Sequence, residues 1–291
     1  GKKIFNNQIK ILNQSKLSLH YLRSNLFIPR YSQNLAQINK KDGIKPHLHS
    51  EQETKSISHI IIENNGFIAD SSAAGFQITL PLGKRILNKL TDLIRFEMNK
   101  INGQEIEMPA LCDLSLWKKT GREEIMGNEL FRLKDRRGKE LCLCPTHEEL
   151  VTSLVSKFAK IIPAHCLTTD KSLSLYQITR KYRDESRPKH GLLRTREFLM
   201  KDMYSFHLSE ECVEKTYSEV CQAYETIFDR LNLNYRKAVA SVGAMGGKMS
   251  HEYHIESSVG EDKIFTCPNC NKSISIDLIQ CEEETKFIDP K

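Results

Sequence analysis

Residues 172–207 read SLSLYQITRKYRDESRPKHGLLRTREFLMKDMYSFH. Both ends of this stretch, Ser172 to Tyr182 and Glu197 to His207, have strand composition, and the polar middle carries Pro188 and Gly191, which turn the chain. The pattern predicts two neighbouring antiparallel strands joined by a charged loop. That pairing brings Arg183 and Arg194 to one end of a sheet, where two guanidiniums grip a polyphosphate through forked hydrogen bonds. Phe198 can lie against a purine there, and Glu185 can accept from its amino group. The competing reading is a solvated sheet edge, where charge serves only to prevent aggregation.

Downstream, Ser209 to Leu231 is predicted as the longest helix, with Val213, Tyr217, Val220, Tyr224, Ile227 and Leu231 on one face. Upstream, Leu130–Leu133 and Glu140–Cys144 flank the turn Asp135-Arg136-Arg137-Gly138 and read as a hairpin. Pro145-Thr146-His147-Glu148-Glu149 then opens a helix on Leu150, Val151, Leu154, Val155 and Phe158. Thr146 with Glu149 fits a capping box, and Glu148 is placed to bind an ammonium or iminium group. His147 has no nearby serine, cysteine or second histidine for a relay or metal site. Before these come a short helix over Ile57–Ile62 stopped at Gly66, and a strand over Phe76–Leu80. A helix with stripe Ile86, Leu87, Leu90, Leu93, Ile94 and Met98 follows, ending at Asn102-Gly103. An extended piece, Glu105–Met108, stops at Pro109.

Antiparallel pairs with helices between them indicate an α+β fold, mostly antiparallel sheet with flanking helices. The glycine fingerprints of dinucleotide and P-loop folds are absent, and no internal repeat is evident. The 291 residues, 39% apolar and 27% charged, fit one large or two small globular units. No run of about 18 apolar residues is present to cross a membrane, so membrane insertion is not expected. The net charge of +6 is concentrated in residues 1–50, where nine Lys/Arg face the single acid Asp42. That segment lacks an apolar core of a secretory signal and reads as a mitochondrial targeting segment, a solvated arm or a nucleic-acid contact. Nine scattered cysteines suit a reducing compartment.

Two later motifs stay open. Gly243 to Gly247 followed by Ser250-His251-Glu252-Tyr253-His254 lacks the lysine of a phosphate loop and reads as a pocket wall; its histidines do not have the spacing of a zinc protease. Cys267-Pro268-Asn269-Cys270, with Cys281 eleven residues on, is a zinc knuckle, an incomplete one or a redox pair. Zinc requires a fourth ligand from His251, His254 or sequence beyond Lys291.

Taken together, Pro145–Glu149, Tyr182-Arg183-Asp184-Glu185 and Arg196–Asp202, extended by Phe206-His207 and Gly246-Gly247 with Ser250-His251-Glu252, resemble class II aminoacyl-tRNA synthetases. The similarity is to prolyl-tRNA synthetases of the bacterial or mitochondrial kind and spans about Ser56 to Asp277. The resemblance implies the class II catalytic fold and a proline–tRNA ligase that activates proline with ATP and passes it to tRNA(Pro), with Mg2+ beside the arginines. Arg183 then holds the α-phosphate and the proline carboxylate, Glu185 faces adenine, Arg194 reaches the terminal phosphates, and Phe198 stacks on the base. Thr146 and Glu148 read the proline nitrogen, Phe206 and His207 line the same pocket, and the segment ending at Pro109 lies at a homodimer interface. It further implies a basic arm over 1–51, a catalytic domain over 52–260 without the family's third motif, and over 261–291 a cysteine-containing start of a short insertion. A piece without that motif is expected to be inactive alone. Location in the mitochondrial matrix is expected, with a bacterial cytoplasm as the alternative. The rival functions are a non-catalytic synthetase-like protein binding RNA or protein, a zinc-ribbon nucleic-acid module, and a synthetase for threonine or serine.

Overall fold

A computed structural model describes the backbone of residues 5–6 and residues 56–158, 168, 170–243, 246–257 and 259–279. The arm expected over 1–51 therefore lies almost wholly outside the described residues, as does Cys281. In chain order the elements are β1 (Phe5–Asn6), α1 (Ile57–Asn64), β2 (Ile68–Asp70), β3 (Gln77–Thr79), α2 (Pro81–Lys100), β4 (Gln104–Glu105) and β5 (Leu111–Asp113). There follow α3 (Leu114–Thr120), α4 (Arg122–Met126), β6 (Arg132–Lys134), β7 (Glu140–Leu143), α5 (Glu148–Phe158), β8 (Leu173–Tyr182) and β9 (Glu197–Phe206). The last are α6 (Glu210–Arg230), β10 (Tyr235–Val239), β11 (His251–Ile255), β12 (Ile264–Thr266) and β13 (Ser273–Ser275).

The β8–β9 pair is the spine. Its register runs from Leu173 opposite Phe206 to Tyr182 opposite Glu197, and β1 and β4 flank it to give the order β1-β9-β8-β4. Alternation along the strands sorts side chains to two faces. On one face Tyr176 and Met203 join Met98 of α2 and Val220, Ala223, Tyr224, Ile227 and Phe228 of α6. On the other, Leu173, Leu175, Tyr204 and Phe206 pack with Met108 and with Val151 and Val155 of α5. A third core of Cys112, Leu114, Trp117, Leu130, Cys142 and Cys144 underlies the small sheet β5-β7-β6. Seven of the nine pairings are antiparallel; β4 with β8 and β10 with β13 are parallel. The α+β class is as expected.

Local chemistry explains the helix ends. The Ser56 hydroxyl accepts from His59 N at 3.3 Å to start α1, and Ser209 does the same for Cys212 N at 3.1 Å in α6. Proline at the first turn starts α2. After α2 the left-handed residue is Asn102, φ 59°. Gly103 is required for closeness instead, because a Cβ there would meet Met98 O at 2.8 Å.

In α1 the isoleucines lie toward solvent, Ile57 being 75% exposed, while His59 is 3% exposed. The loop at Gly191 comes so near that a Cβ on it would lie 2.0 Å from His59 Nδ1, so the imidazole fills that contact. The segment from Ser250 onward is a strand, β11, antiparallel to β10. Strand β13 pairs with β10, giving the sheet β11-β10-β13-β12. No helix among the described residues is long and apolar enough to cross a membrane.

Lys201 sits on the helix side of β9, its ammonium 4.5 Å from the centre of the Tyr224 ring and donating to the Tyr224 hydroxyl. Burial lowers its pKa from 10.5 to about 7, with Asp202 opposing. The unfolded chain then binds the extra proton between about pH 7 and 10.5, so this group's contribution to stability rises with pH across that window. Lys201→Met is expected to be more stable than the parent at about pH 7, with the advantage shrinking by about pH 9, as read from urea midpoints at the two values.

Candidate active site

Strand β7 passes through Cys144, whose N–H donates to Ala110 O at 2.8 Å, into the turn Pro145-Thr146-His147 that begins α5. The turn is docked by one phenol. Tyr204 Oη accepts from His147 N at 2.9 Å and lies 3.3 Å from Thr146 Oγ1. The phenol in turn donates to Asp202 Oδ2 at 2.5 Å. Gln177 Nε2 donates to the same oxygen at 2.9 Å, while Gln177 Oε1 accepts from Met108 N at 3.2 Å. Lys181 Nζ lies 2.8 Å from Asp202 Oδ1, both side chains essentially unexposed, and donates to Thr179 Oγ1 at 2.6 Å. A buried ion pair thus ties β8 to β9 and, through Tyr204, to the turn that carries Glu148.

His147 Nε2 lies 3.1 Å from Pro109 O, which can only accept, so that nitrogen holds the proton. Burial, then the Lys181 charge, lowers its pKa. The imidazole is neutral and structural, consistent with its having no relay partner. The capping box expected from Thr146 and Glu149 does not form. Thr146 is taken by Tyr204, and Glu149 accepts from Arg122 at 2.8 Å and Thr120 Oγ1 at 3.1 Å. Burial raises the Glu149 pKa against the pull of Arg122. The same Arg122 nitrogen donates to Glu148 at 3.2 Å, and its guanidinium lies 5.0 Å from the Trp117 ring centre. Gly121, φ 73°, makes the break between α3 and α4 that turns Arg122 inward.

At the other end of the strand pair, Arg183 N donates to Arg196 O at 2.9 Å, one step past the last paired strand residues. Its guanidinium stands 5.4 Å from the centre of the Phe198 ring. Burial lowers its pKa while Glu129 and Glu148 oppose, so the carboxylate at 148 and the guanidinium at 183 act on each other directly. The buried Nε of Arg183 has no hydrogen-bond partner among the described residues. An unmatched buried donor is costly.

Arg194 and Arg183 both feel the charges of Glu129 and Glu185. Arg194 Nε lies 3.0 Å from Glu185 Oε2, and its Nη1 donates to Glu261 at 2.9 Å. Burial works to raise the Glu185 pKa, but the hydrogen bonds from Arg194 and Arg187 N and the Arg194 charge win and lower it. Phe206 is 2% exposed within the core under α5. His207 bonds Ser205 Oγ at 2.8 Å and lies 3.2 Å from Cys212 Sγ. Phe206 sits about 27 Å along the strand from Phe198, at eight residues of about 3.4 Å each, and His207 follows it. Sequence spacing could not separate a strand's core end from its site end. Neither Arg122 nor the Lys181–Asp202–Tyr204 chain was found from sequence; their only signals were a lone glycine at 121 and two charges inside otherwise strand-like runs.

A cavity of about 450 Å³ is lined by Glu107 to Ala110, Ile178 to Arg180 and Leu199, and so includes the exposed Pro109. Another of about 290 Å³ lies among Arg236, His254 and Glu261. Neither includes Arg183 or Glu148. At the Cys267–Cys270 turn the backbone amides of Cys270 and Asn269 point at Cys267 and lower its pKa. Among the described residues no third ligand joins these cysteines; the one group of three metal-type donors is His59, Glu63 and Asp70. His251 bonds Tyr217 and His254 bonds Glu252 instead. The described part of this turn therefore does not fit a zinc ion.

The family model for the tRNA synthetase class II core domain (G, H, P, S and T) matches residues 131–286, more than half of the chain. The chain belongs to that family. This class II core is 47% identical over 219 residues to a probable mitochondrial proline--tRNA ligase of Rattus norvegicus, covering 75% of the chain and 45% of the relative. It is 43% identical over 239 residues to a proline--tRNA ligase of Thermotoga maritima, covering 81% and 40%. The chain spans less than half the length of these curated relatives. The fold is shared with a Giardia lamblia prolyl-tRNA synthetase solved in complex with prolyl-adenylate. There the TM-score is 0.60 at 20% identity, over 67% of this chain and 39% of that one.

Breaking the buried pair in this class II core is expected to be expensive from either side. Lys181→Met and Asp202→Asn should each lose about 3–5 kcal/mol, because each strands a buried charge or its polar partners. The double variant should fall short of the sum by about 0.5–3 kcal/mol in a urea-unfolding cycle. Simple additivity would show the two side chains to be uncoupled.

Proposed function

We propose that the chain is the catalytic-core portion of a proline–tRNA ligase, which joins proline to ATP as prolyl-adenylate and then transfers the prolyl group to tRNA(Pro). The observation that carries this reading is Arg183: a guanidinium lying over Phe198 with an unused buried donor, coupled by charge to Glu148. The 42–47% identities to proline–tRNA ligases support the choice of amino acid.

On this reading the proline carboxylate attacks the α-phosphorus of ATP, the bond to the β-phosphate oxygen breaks, and pyrophosphate leaves. Charge builds on the α-phosphate oxygens, and Arg183 stabilises it without a covalent intermediate on the protein. Glu148 neutralises the secondary ammonium of proline, with Arg122 orienting that carboxylate, and Thr146 bordering the same turn. Phe198 stacks on adenine. ATP binding takes Arg194 from Glu185 to the terminal phosphates, which leaves Glu185 to the adenine amino group. Phe206 lies in the core beneath α5 and His207 bonds Ser205 and Cys212, so on this reading both support the pocket from within the fold rather than touch proline. Mg2+ in such a reaction neutralises the polyphosphate. The described carboxylates around Arg183 form no grouped donor set for it, and no residue is assigned to hold it.

The remaining partners follow from the same reading: a second copy meeting this one at the segment ending in Pro109, and the terminal ribose of tRNA(Pro), recognised by shape, phosphates and unpaired bases. The basic composition of residues 1–50 and the mitochondrial relatives favour the mitochondrial matrix.

Calorimetry with prolyl-sulfamoyl-adenosine, a stable analogue of the adenylate, tests the assignment. The chain is expected to bind it. Arg183→Ala and Glu148→Gln should each weaken binding about 10- to 100-fold, the scale of a charged hydrogen bond. Glu148→Gln should leave the affinity for sulfamoyl-adenosine lacking the amino acid unchanged. No binding by the parent chain, or equal weakening of both ligands by Glu148→Gln, would overturn the reading.

A further inference from the structure

Three buried cysteines meet beneath the turn that carries Glu148, and the proposed aminoacylation uses none of them. Cys112 on β5 and Cys142 on β7 are direct partners in the antiparallel register, with sulfurs 3.4 Å apart. Directly opposed residues in such a ladder have Cα atoms about 4.5–5.5 Å apart, inside the range of about 4.4–6.8 Å that a disulfide spans. Cys144 is two residues on along the same strand face, and its backbone pairs with Ala110 rather than with Cys112. From this geometry we infer that Cys112 and Cys142 form a reversible oxidation site, closing a cross-strand disulfide when the protein meets a peroxide.

The roles of the two sulfurs follow from their surroundings. Cys112 takes hydrogen bonds from the thiols of Cys142 and Cys144 and from the Trp117 indole, and these lower its pKa well below the usual thiol range. The indole nitrogen lies 3.3 Å from the Cys112 sulfur. Cys142 is shifted the other way, first by its hydrogen bond to Cys112 and then by burial. Cys112 is therefore the nucleophile and Cys142 the resolving thiol. Cys112 also retains 6% exposure, whereas Cys142 and Cys144 have none, so a molecule as small as hydrogen peroxide meets Cys112 first. The Cys112 thiolate attacks one peroxide oxygen and the O–O bond breaks, giving a sulfenic acid and hydroxide, which is protonated to water. The Cys142 sulfur then displaces the sulfenic hydroxyl, which leaves as a second water once the Cys142 proton is passed on. Two thiols are oxidised by two electrons, and one peroxide is reduced to two waters.

The protein carries its own reporter. Trp117 is the only tryptophan in the sequence, and oxidation replaces its thiolate acceptor with a disulfide. The proposal is independent of the synthetase reading, since neither bond formation nor the fluorescence signal requires substrate.

The experiment treats the reduced chain with about one equivalent of hydrogen peroxide, blocks remaining thiols, and maps tryptic peptides without reductant. The expected product links peptide 101–118 to peptide 140–157, is accompanied by a fall in tryptophan emission, and is reversed by dithiothreitol. Cys144→Ser should keep both the link and the emission change, which assigns the bond to Cys142, and Cys142→Ser should lose both. A link that disappears in Cys144→Ser, or parent protein in which Cys112 stays free while other thiols oxidise, would overturn the proposal. The parent map decides the second point even if a variant fails to fold.

Discussion

The buried contact between Lys181 and Asp202 is the constraint on which the rest of the site depends. A lysine and an aspartate with almost no exposure are costly to desolvate, and β8 and β9 bear that cost in the middle of their ladder. The compensation is local: Asp202 also receives Tyr204 and Gln177, and Lys181 also donates to Thr179. A hydrophobic pair of similar volume would hold two strands together at least as well. It would not orient the Tyr204 hydroxyl, and without that hydroxyl the turn at Thr146 and His147 loses its dock.

The two faces of the same strand pair divide the labour. On the side of α2 and α6 the packing is aromatic and aliphatic, with Tyr224, Phe228, Tyr235 and Tyr253 in mutual ring contact. The opposite side begins as a core at Leu173 and Phe206, becomes a polar network at Gln177 and Asp202, and ends at Lys181 and Phe198 beside the exposed loop. Polarity thus increases steadily along one face, and Glu148 and Arg183 lie toward its wet end. The pull of the Glu148 charge on Arg183 follows from their burial, because neither group is far enough into water to be screened.

The same gradient explains what could be read from the sequence. The strand pair, its register direction, the long helix over Ser209–Leu231 and the hairpin around Asp135–Gly138 were all legible, since each rests on a periodicity or a turn residue. The approach of Arg183 to Phe198 was legible through their spacing across the strand pair. Illegible were the contacts made by folding alone. Arg122 reaches Glu148 across 26 positions, Tyr204 reaches Thr146 across 58, and no local pattern encodes either distance. Strands β10 and β11 were hidden for a different reason: Tyr235–Val239 and His251–Ile255 mix apolar and charged residues without a regular stripe, and burial concentrates at Ala238, Tyr253 and His254. In α1 the apolar stripe was present but misleading, because the side that packs is the one facing Gly191.

The charged loop between the strands obeys a different energetic rule from the floor beneath it. Its ion pairs join Arg194 to Glu185 and Glu261, and Lys189 to Glu261, with side-chain exposures from 17% to 55%. Pairs of that exposure each contribute about 0.2–1 kcal/mol, so exchanging them for a polyphosphate costs little and needs no repacking. The Lys181–Asp202 pair costs several times more to break and has no exposed route to a substitute partner. On the proposed reading, a buried floor with a loosely paired rim suits ATP binding. The groups around Glu148 are buried and tied to one another, and Arg194, which on that reading moves to a terminal phosphate, is held by contacts that water already competes for.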